Sequence, residues 1–444
     1  MQITRRSVLA GFAAVERPNI LFFFPDQQRW DWNPWNRELP LRMPNLEALG
    51  RRGMRFSHAM VAAPVCAPSR ACLAAGKEYE RCGVPSNNYN YPLAQPTYYR
   101  LLRDSGYHVM GCGKLDLNKK DHDWGLDGRK WFREWGFSDA IDNEGKFDAI
   151  GSSKEGPRGP YMAYLAQRNL AAAHIADFDK RRGRDGYTNT APTPLDDDAY
   201  CDNWIARNGL ELLRAAPKGK PWHLVVNFAG PHNPVDITSS MERVARGRNF
   251  PQPHRNTQVD APVHNALRQN YAAMLENIDR WLGEYSEELR RRGEWNNTII
   301  VYSSDHGEML GDHDRWAKGV PHEASVRVPL VMAGPGIGRG QSPELVYVHD
   351  LAATYLDYGG VPTPSDMDSK SLRPLLEGKT RSHRKHLRLG LYEWRAVTDG
   401  RYKLVKNFDN KPVQLFDLRQ DPWEDEDIAT RQPAQVKRLE ALLR

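Results

Sequence analysis

The sequence has no long apolar run. Nothing in it approaches the ~18 consecutive apolar residues of a helical membrane span, so such a span is excluded. Cysteine is scarce. The five present, Cys66, Cys72, Cys82, Cys112 and Cys201, lack paired metal-ligand spacing and are too few to staple 444 residues, which rules out a disulfide framework. Zinc-finger spacing, a basic recognition helix and RNA-binding signatures are also missing. The net charge of +6 therefore does not make nucleic acid the partner, and an anionic small molecule or polysaccharide suits it as well. No internal repeat occurs. What the chain does have is core material: 40% hydrophobic residues, with 13 Trp, 18 Tyr and 13 Phe, enough for one large α/β domain with an appendage.

Thr4-Arg5-Arg6-Ser7-Val8-Leu9, followed by small and apolar residues to Val15, looks like a shortened twin-arginine export signal. Residues 1–15 are thus expected to send the chain to the periplasm or beyond; an inert signal would leave it in the cytoplasm. Asn19 to Phe24 is a continuous apolar run ending in Pro25-Asp26, as expected of a strand buried on both faces of a parallel sheet. His108 to Gly111, His223 to Phe228 and Thr298 to Ser303 read as further strands, each followed by polar or Gly/Pro residues. Leu46 to Arg52, Pro96 to Ser105 and Leu267 to Arg292 read as helices. Strand and helix alternate to about residue 375, which predicts a doubly wound, mostly parallel sheet flanked by helices, with its site at the carboxyl ends of the strands. From residue 379 to 444 the pattern changes. Asp399-Gly400 is a turn between two strand-like stretches, Val413 to Leu418 adds another, and Gln435 to Arg444 reads as a closing helix, together a small antiparallel α+β subdomain. Residues 16–378 are then the catalytic domain. Glu144 to Pro194, rich in Gly, Pro and charge around one helical stretch, reads as an insertion over the site. Asp196-Asp197-Asp198 reads as helix N-terminal charge, Arg290-Arg291-Arg292 as a solvated last turn, and His313 as a residue of the cleft or of a surface loop.

Cys66-Ala67-Pro68-Ser69-Arg70 stands at a plausible helix start. A cysteine at a helix N-terminus beside an arginine has a lowered pKa. Asp26 and Asp305 are acids at two predicted strand ends, with Gln27 and His306 beside them. Two carboxylates, an amide and an imidazole suit one divalent cation bound chiefly through oxygen: calcium first, with magnesium or manganese open.

Cys66-x-Pro68-Ser69-Arg70 resembles the signature of the type I sulfatases. Other pieces follow in that family's order: Pro18-Asn19 with Asp26, Pro44-Asn45-Leu46, Gly53-x-Arg55-Phe56, Gly106-Tyr107 to Gly113-Lys114, and Pro231-His232. Then come Ser304-Asp305-His306-Gly307-Glu308, Leu310-Gly311-Asp312-His313, Lys318-Gly319, Asp399-Gly400-Arg401 and Leu415-Phe416-Asp417. The resemblance implies an alkaline-phosphatase-like fold and a sulfate-ester hydrolase. Cys66 would be oxidised by a formylglycine-generating enzyme to Cα-formylglycine, and Asp26, Gln27, Asp305 and His306 would bind the metal together with residue 66. It also implies that Arg70 stabilises the formylglycine oxygens, that Lys114 bridges them to the sulfate, and that His232 with Lys318 grips the sulfate and assists the leaving oxygen. A sulfate ester needs such parts: a nucleophile, cations around its oxygens and a proton for the leaving group.

Three positions depart from the family pattern. Ala75-Gly76 stands where Thr-Gly is usual, and Gln27 where a second Asp is common. Lys114-Leu115-Asp116 replaces Lys-x-His, so Asp116 is either the base for sulfate release or an orienting partner of Lys114. The Gly-Lys-Leu-Asp run is similar to arylsulfatase K-like enzymes and points to a sulfated oligosaccharide or other sulfated small molecule. A phosphonate or phosphate ester hydrolase, or a non-catalytic sulfated-glycan binder, are the alternatives.

Overall fold

In the computed structural model, residues 17–181 and 185–443 are described; the export-signal reading of residues 1–15 lies outside them. Twelve strands form two sheets. The large one contains β1 (Asn19–Phe24), β2 (Met54–Met60), β3 (His108–Gly113), β4 (Asp139–Asp142), β5 (Trp222–Asn227), β6 (Thr298–Ser303), β7 (Arg327–Ala333) and β8 (Gly340–Tyr347). Its order is β4-β3-β5-β1-β6-β7-β2-β8. Only β7 runs against its neighbours, so the expected doubly wound, mostly parallel sheet is present. Strand β1 lies at the centre, between β5 and β6, and every residue of these three strands is buried.

Side-chain alternation sends the β1 aromatics to two different cores. Phe22 and Phe24 join Val225, Val301 and Tyr355 on one face. Leu21 and Phe23 join Leu224, Ile300 and Tyr285 on the other, where Phe23 meets Tyr285 edge-to-face at 5.0 Å. Burying each such ring contributes ~1.5–3 kcal/mol, so the strand that carries Asp26 at its end is also among the hardest parts of the molecule to displace.

Helix α1 (Pro44–Arg52) and α2 (Cys66–Ala75) follow β1 and β2, and α3 (Tyr98–Asp104) starts at Thr97, whose hydroxyl caps Arg100 N–H. The long helix Ala261–Arg291 covers the second core. Three readings need correction. The segment Glu144 to Pro194 holds not one helix but four, Lys146–Ser152, Pro160–Gln167, Ala171–Lys180 and Asp185–Thr188, because Gly and Pro between short helices hide their periodicity. Asp196-Asp197-Asp198 stands outside the first turn of the following helix, which begins at Cys201; Asp196 accepts from Ala199 N–H, Asp197 accepts from Ser240 Oγ at 2.6 Å, and the Asp198 carboxylate reaches the helix at Arg207, 3.7 Å away. Arg292 is not a solvated end, since its side chain is 6% exposed, pairs with Glu294 and donates to the carbonyls of Arg214 and Ala216.

The small sheet contains β9 (Leu387–Leu391), β10 (Trp394–Thr398), β11 (Tyr402–Phe408) and β12 (Lys411–Asp417), antiparallel throughout in the order β12-β11-β10-β9. The helix Pro433–Glu440 closes it through Leu439 against Val397, Leu404 and Leu415. Trp394 Nε1–H donates to Gly319 O at 2.9 Å and the buried Lys403 donates to Pro321 O at 2.7 Å, so this sheet holds the 319–321 segment of the larger unit.

Candidate active site

Four carboxyl strand ends converge. β1 runs into Asp26, β6 into Asp305-His306, β3 into Lys114, and β5 into the loop bearing His232. Gly113 makes one of these approaches feasible: at φ +100° a Cβ would lie 1.9 Å from Asn227 O, so only glycine lets β3 close on β5 and deliver Lys114. Between them, Cys66 opens α2.

Donor atoms of Asp26, Cys66, Asp305 and His306 all lie within 4.8 Å of one another, and all four residues are buried. Cys66 Sγ is 3.2 Å from His306 Nε2 and 3.9 Å from Asp26 Oδ1. His306 Nδ1–H donates to Gly307 O at 3.0 Å, which leaves Nε2 as the ring nitrogen facing the acids. Gln27, at φ +72°, donates its backbone N–H to Asp305 Oδ1 at 3.0 Å; its amide oxygen accepts from Lys318 and its amide N–H donates to Glu308. The structure thus assembles Asp26, Cys66, Asp305 and His306 as one donor set and gives the Gln27 side chain to Lys318 and Glu308.

Cations surround this set. Arg70 Nε donates to Asp305 Oδ2 at 2.9 Å and its Nη1 to Asn227 Oδ1 at 2.9 Å. Its Nη2 is buried without a hydrogen-bond partner, which leaves a donor for an incoming oxygen. Lys114 Nζ bonds Asp26 Oδ2 and lies 3.1 Å from Asp116 Oδ2. Lys119 Nζ continues the chain, 3.1 Å from Asp116 Oδ1 and bonded to Asp148. Lys318 Nζ donates to His232 Nε2, while His232 Nδ1–H donates to Asn233 O.

The charges follow from this packing. Burial raises the Asp26 carboxyl, but its basic neighbours, Lys114 first and then Lys318 and His306, outweigh it and hold it well below the usual range. Burial and Asp26 raise the Cys66 thiol, yet Lys114, Lys318 and His306 bring it down to about 6. Asp116 is likewise buried, and Lys114, Lys119 and Arg70 hold it ionised far below an ordinary carboxyl. Burial and then Lys318 keep His232 neutral.

Sequence reasoning missed Asn227, Lys119, Tyr187 and Glu308 as members of this network. Tyr187 OH reaches Glu308 Oε2 at 3.2 Å. Glu308 sits within the Ser304 to Glu308 run, and Lys119 follows Asp116 by three positions; nothing local marks Asn227 or Tyr187.

Comparison with known proteins covers nearly the whole chain. The sulfatase family profile matches residues 18–361, and that of the C-terminal region of N-sulphoglucosamine sulphohydrolase matches residues 311–443. Arylsulfatase K of Danio rerio is 26% identical over 98% of this chain and 84% of its own length. Among solved structures, a phosphonate monoester hydrolase from Silicibacter pomeroyi superposes with TM-score 0.80 at 21% identity, over 96% of this chain and 94% of that one. A structure solved in complex with its substrate D-glucosamine-2-N,6-O-disulfate gives TM-score 0.75 at 19% identity, over 96% of this chain and 97% of that one. With residues 18–361 matched by its profile, the chain belongs to the sulfatase family of sulfuric ester hydrolases.

Proposed function

We propose that the protein hydrolyses a sulfate monoester on a carbohydrate, with Cys66 converted to Cα-formylglycine as the nucleophile. The observation that carries this reading is the convergence of Cys66 Sγ with Asp26, Asp305 and His306 beneath Arg70, Lys114 and Lys318. Two carboxylates and an imidazole whose free nitrogen faces them fit a divalent cation, calcium by oxygen count, with magnesium or manganese as the other choices. Asp26, Asp305 and His306 would hold it beside residue 66, and it would supply Lewis-acid polarisation there. Hydrated formylglycine carries two hydroxyls on one carbon, so one can displace the alcohol from sulfur and the other can expel sulfate as the carbonyl re-forms.

The chain's own residues do the rest. Arg70 Nη2 and Lys114 Nζ offer charged donors to the equatorial oxygens of the sulfate. Lys318 carries a proton already shared with His232 Nε2, and this pair hands it to the leaving alcohol oxygen. Asp116, held between Lys114 and Lys119, orients Lys114. Phe147, 39% exposed and 6.1 Å from the His232 ring, offers a sugar-sized apolar face at the entrance. The protein crystallised with a disulfated glucosamine shares the fold, which supports a sugar sulfate. Export to the periplasm or exterior, with maturation by a formylglycine-generating enzyme, completes the proposal; among the described residues no helix is long and apolar enough to cross a membrane.

A phosphonate ester is the second reading, favoured by the TM-score of 0.80 to a phosphonate monoester hydrolase. Initial rates on sulfated oligosaccharides, nitrophenyl sulfate and a phosphonate monoester separate the two. Sulfate turnover should dominate, and dominant phosphonate turnover reverses the assignment. Mass spectrometry of the Cys66 peptide after coexpression with a formylglycine-generating enzyme should show the aldehyde; its complete absence, with glycan binding retained, would favour a binding protein. Cys66→Ala should abolish turnover while the chain still melts cooperatively.

A further inference from the structure

A second group of ligand-capable side chains lies outside the active site. His254, His313 and Asp425 come from three distant stretches of the chain, and one donor atom of each lies within 4.8 Å of the others. His254 Nε2 is 2.9 and 2.8 Å from the two oxygens of Asp425, and His313 Nδ1 is 3.9 Å from Asp425 Oδ1. We propose that these three side chains form a second metal site, for a borderline divalent cation such as zinc, distinct from the oxygen-rich centre at Cys66.

The packing around the cluster is that of supported ligands. His313 Nε2–H donates to Trp423 O at 2.8 Å, which turns Nδ1, the other ring nitrogen, toward the Asp425 carboxylate. The His254 ring stacks on Trp423 at 4.9 Å and 12°. Both histidine backbones are tied: His254 N–H donates to Asp312 Oδ1 and His313 N–H to His254 O, each at 2.8 Å. His313 itself is held at φ +56°. A further imidazole, His322, has its ring centre 5.2 Å from that of His313, and its Nδ1 is buried with no hydrogen-bond partner. Its nitrogens lie outside the group whose donor atoms are mutually within 4.8 Å, so it would reach an ion there through water.

Two imidazoles and one carboxylate suit zinc, with water completing a tetrahedral set. The same donors are poor for calcium, which takes six to eight oxygens. The competing group is Arg255, whose Nε lies 3.0 Å from Asp425 Oδ1 on a side chain 60% exposed; solvent can take it when a cation arrives. The three side chains are 17–27% exposed, so an ion has a path in. Such an ion would tie the Asp425 segment, which follows the small sheet, to the loop that carries His313 and, five residues on, Lys318.

The test uses the full chain, stripped with chelator, with the first centre saturated by excess calcium, and titrated with zinc chloride by calorimetry. One zinc per chain should bind and the melting temperature should rise. His254→Gln and Asp425→Asn should each weaken that binding more than ~10-fold and cancel the thermal shift, while Asp305→Asn, which damages the first centre, should retain it. Should either of the first two variants fail to melt cooperatively without zinc, His313→Asn, which suits the left-handed backbone, takes its place. Zinc affinity unchanged in these variants, zinc lost in Asp305→Asn alone, or no binding beyond calcium would each overturn the proposal.

Discussion

Lys114 and Lys318 approach the same acid from two sides, and both draw down the Asp26 carboxyl, but they are held in opposite ways. Lys114 is 2% exposed and lies in an unbroken ionic chain, Asp26–Lys114–Asp116–Lys119–Asp148. Lys318 is half-buried and touches only neutral partners there, His232 and the Gln27 amide. The first lysine is fixed by counter-charges and cannot leave them without baring buried carboxylates. The second gives up two neutral hydrogen bonds and can turn to an arriving anion at little cost. One lysine is therefore locked in place and the other is free to turn.

The sharpest way to break this contrast is to remove each ammonium in turn. Lys114→Met should cost about 3–5 kcal/mol of stability, because Asp26 and Asp116 lose a buried partner, seen as a large drop in the denaturation midpoint. Lys318→Met should leave stability within ~1 kcal/mol but lower kcat by about 10²–10³. It should also let His232 protonate at higher pH, since Lys318, with burial and Lys114, keeps that ring neutral; NMR titration of the ring would follow this. Equal stability losses in both variants would erase the distinction.

The strand ends carrying Asp26, Lys114, His232 and Asp305 were legible in the sequence because each apolar run stops at a polar residue. Cys66 and Arg70 were legible from their spacing. Neither signal shows which loops meet. Asn227 reaches Arg70 across 157 positions, and the Tyr187 hydroxyl meets Glu308 across 121; such pairings are fixed by the order of strands in the sheet. Asp116 could be named as a departure, but its role depended on Lys119 and on burial, which only the packing reveals. The small helices between Glu144 and Pro194 were missed because each is too short to show a period.

Finer predictions sharpen the same comparison. Asp116→Asn keeps the shape but removes the charge between the two lysines; activity should fall about 10–100-fold, as for other groups that support a metal ligand from behind, with a smaller stability loss than Lys114→Met. On the Lys318 side, Asp202 accepts from Ala229 and Gly230 N–H and so shapes the loop that bears His232. Burial raises its pKa to about 6 against the pull of Lys146 and these N–H groups, and its Oδ2 has no partner. An acid whose folded pKa lies above its unfolded value of ~3.9 penalises the native state as pH rises from about 4, fully above about 6. Asp202→Asn should therefore become relatively more stable by roughly 2–3 kcal/mol between pH 4 and 7, read from denaturation midpoints at each pH.

The Trp394 indole, reaching from the terminal hairpin to the carbonyl beside Lys318, makes the far end of the polypeptide a buttress for its reactive lysine. A ribosome that has released everything up to β9 has already made every acid, thiol and imidazole of the catalytic cluster. The backbone beside the ammonium at 318 still lacks its indole donor at that point, and gains it only when the hairpin follows.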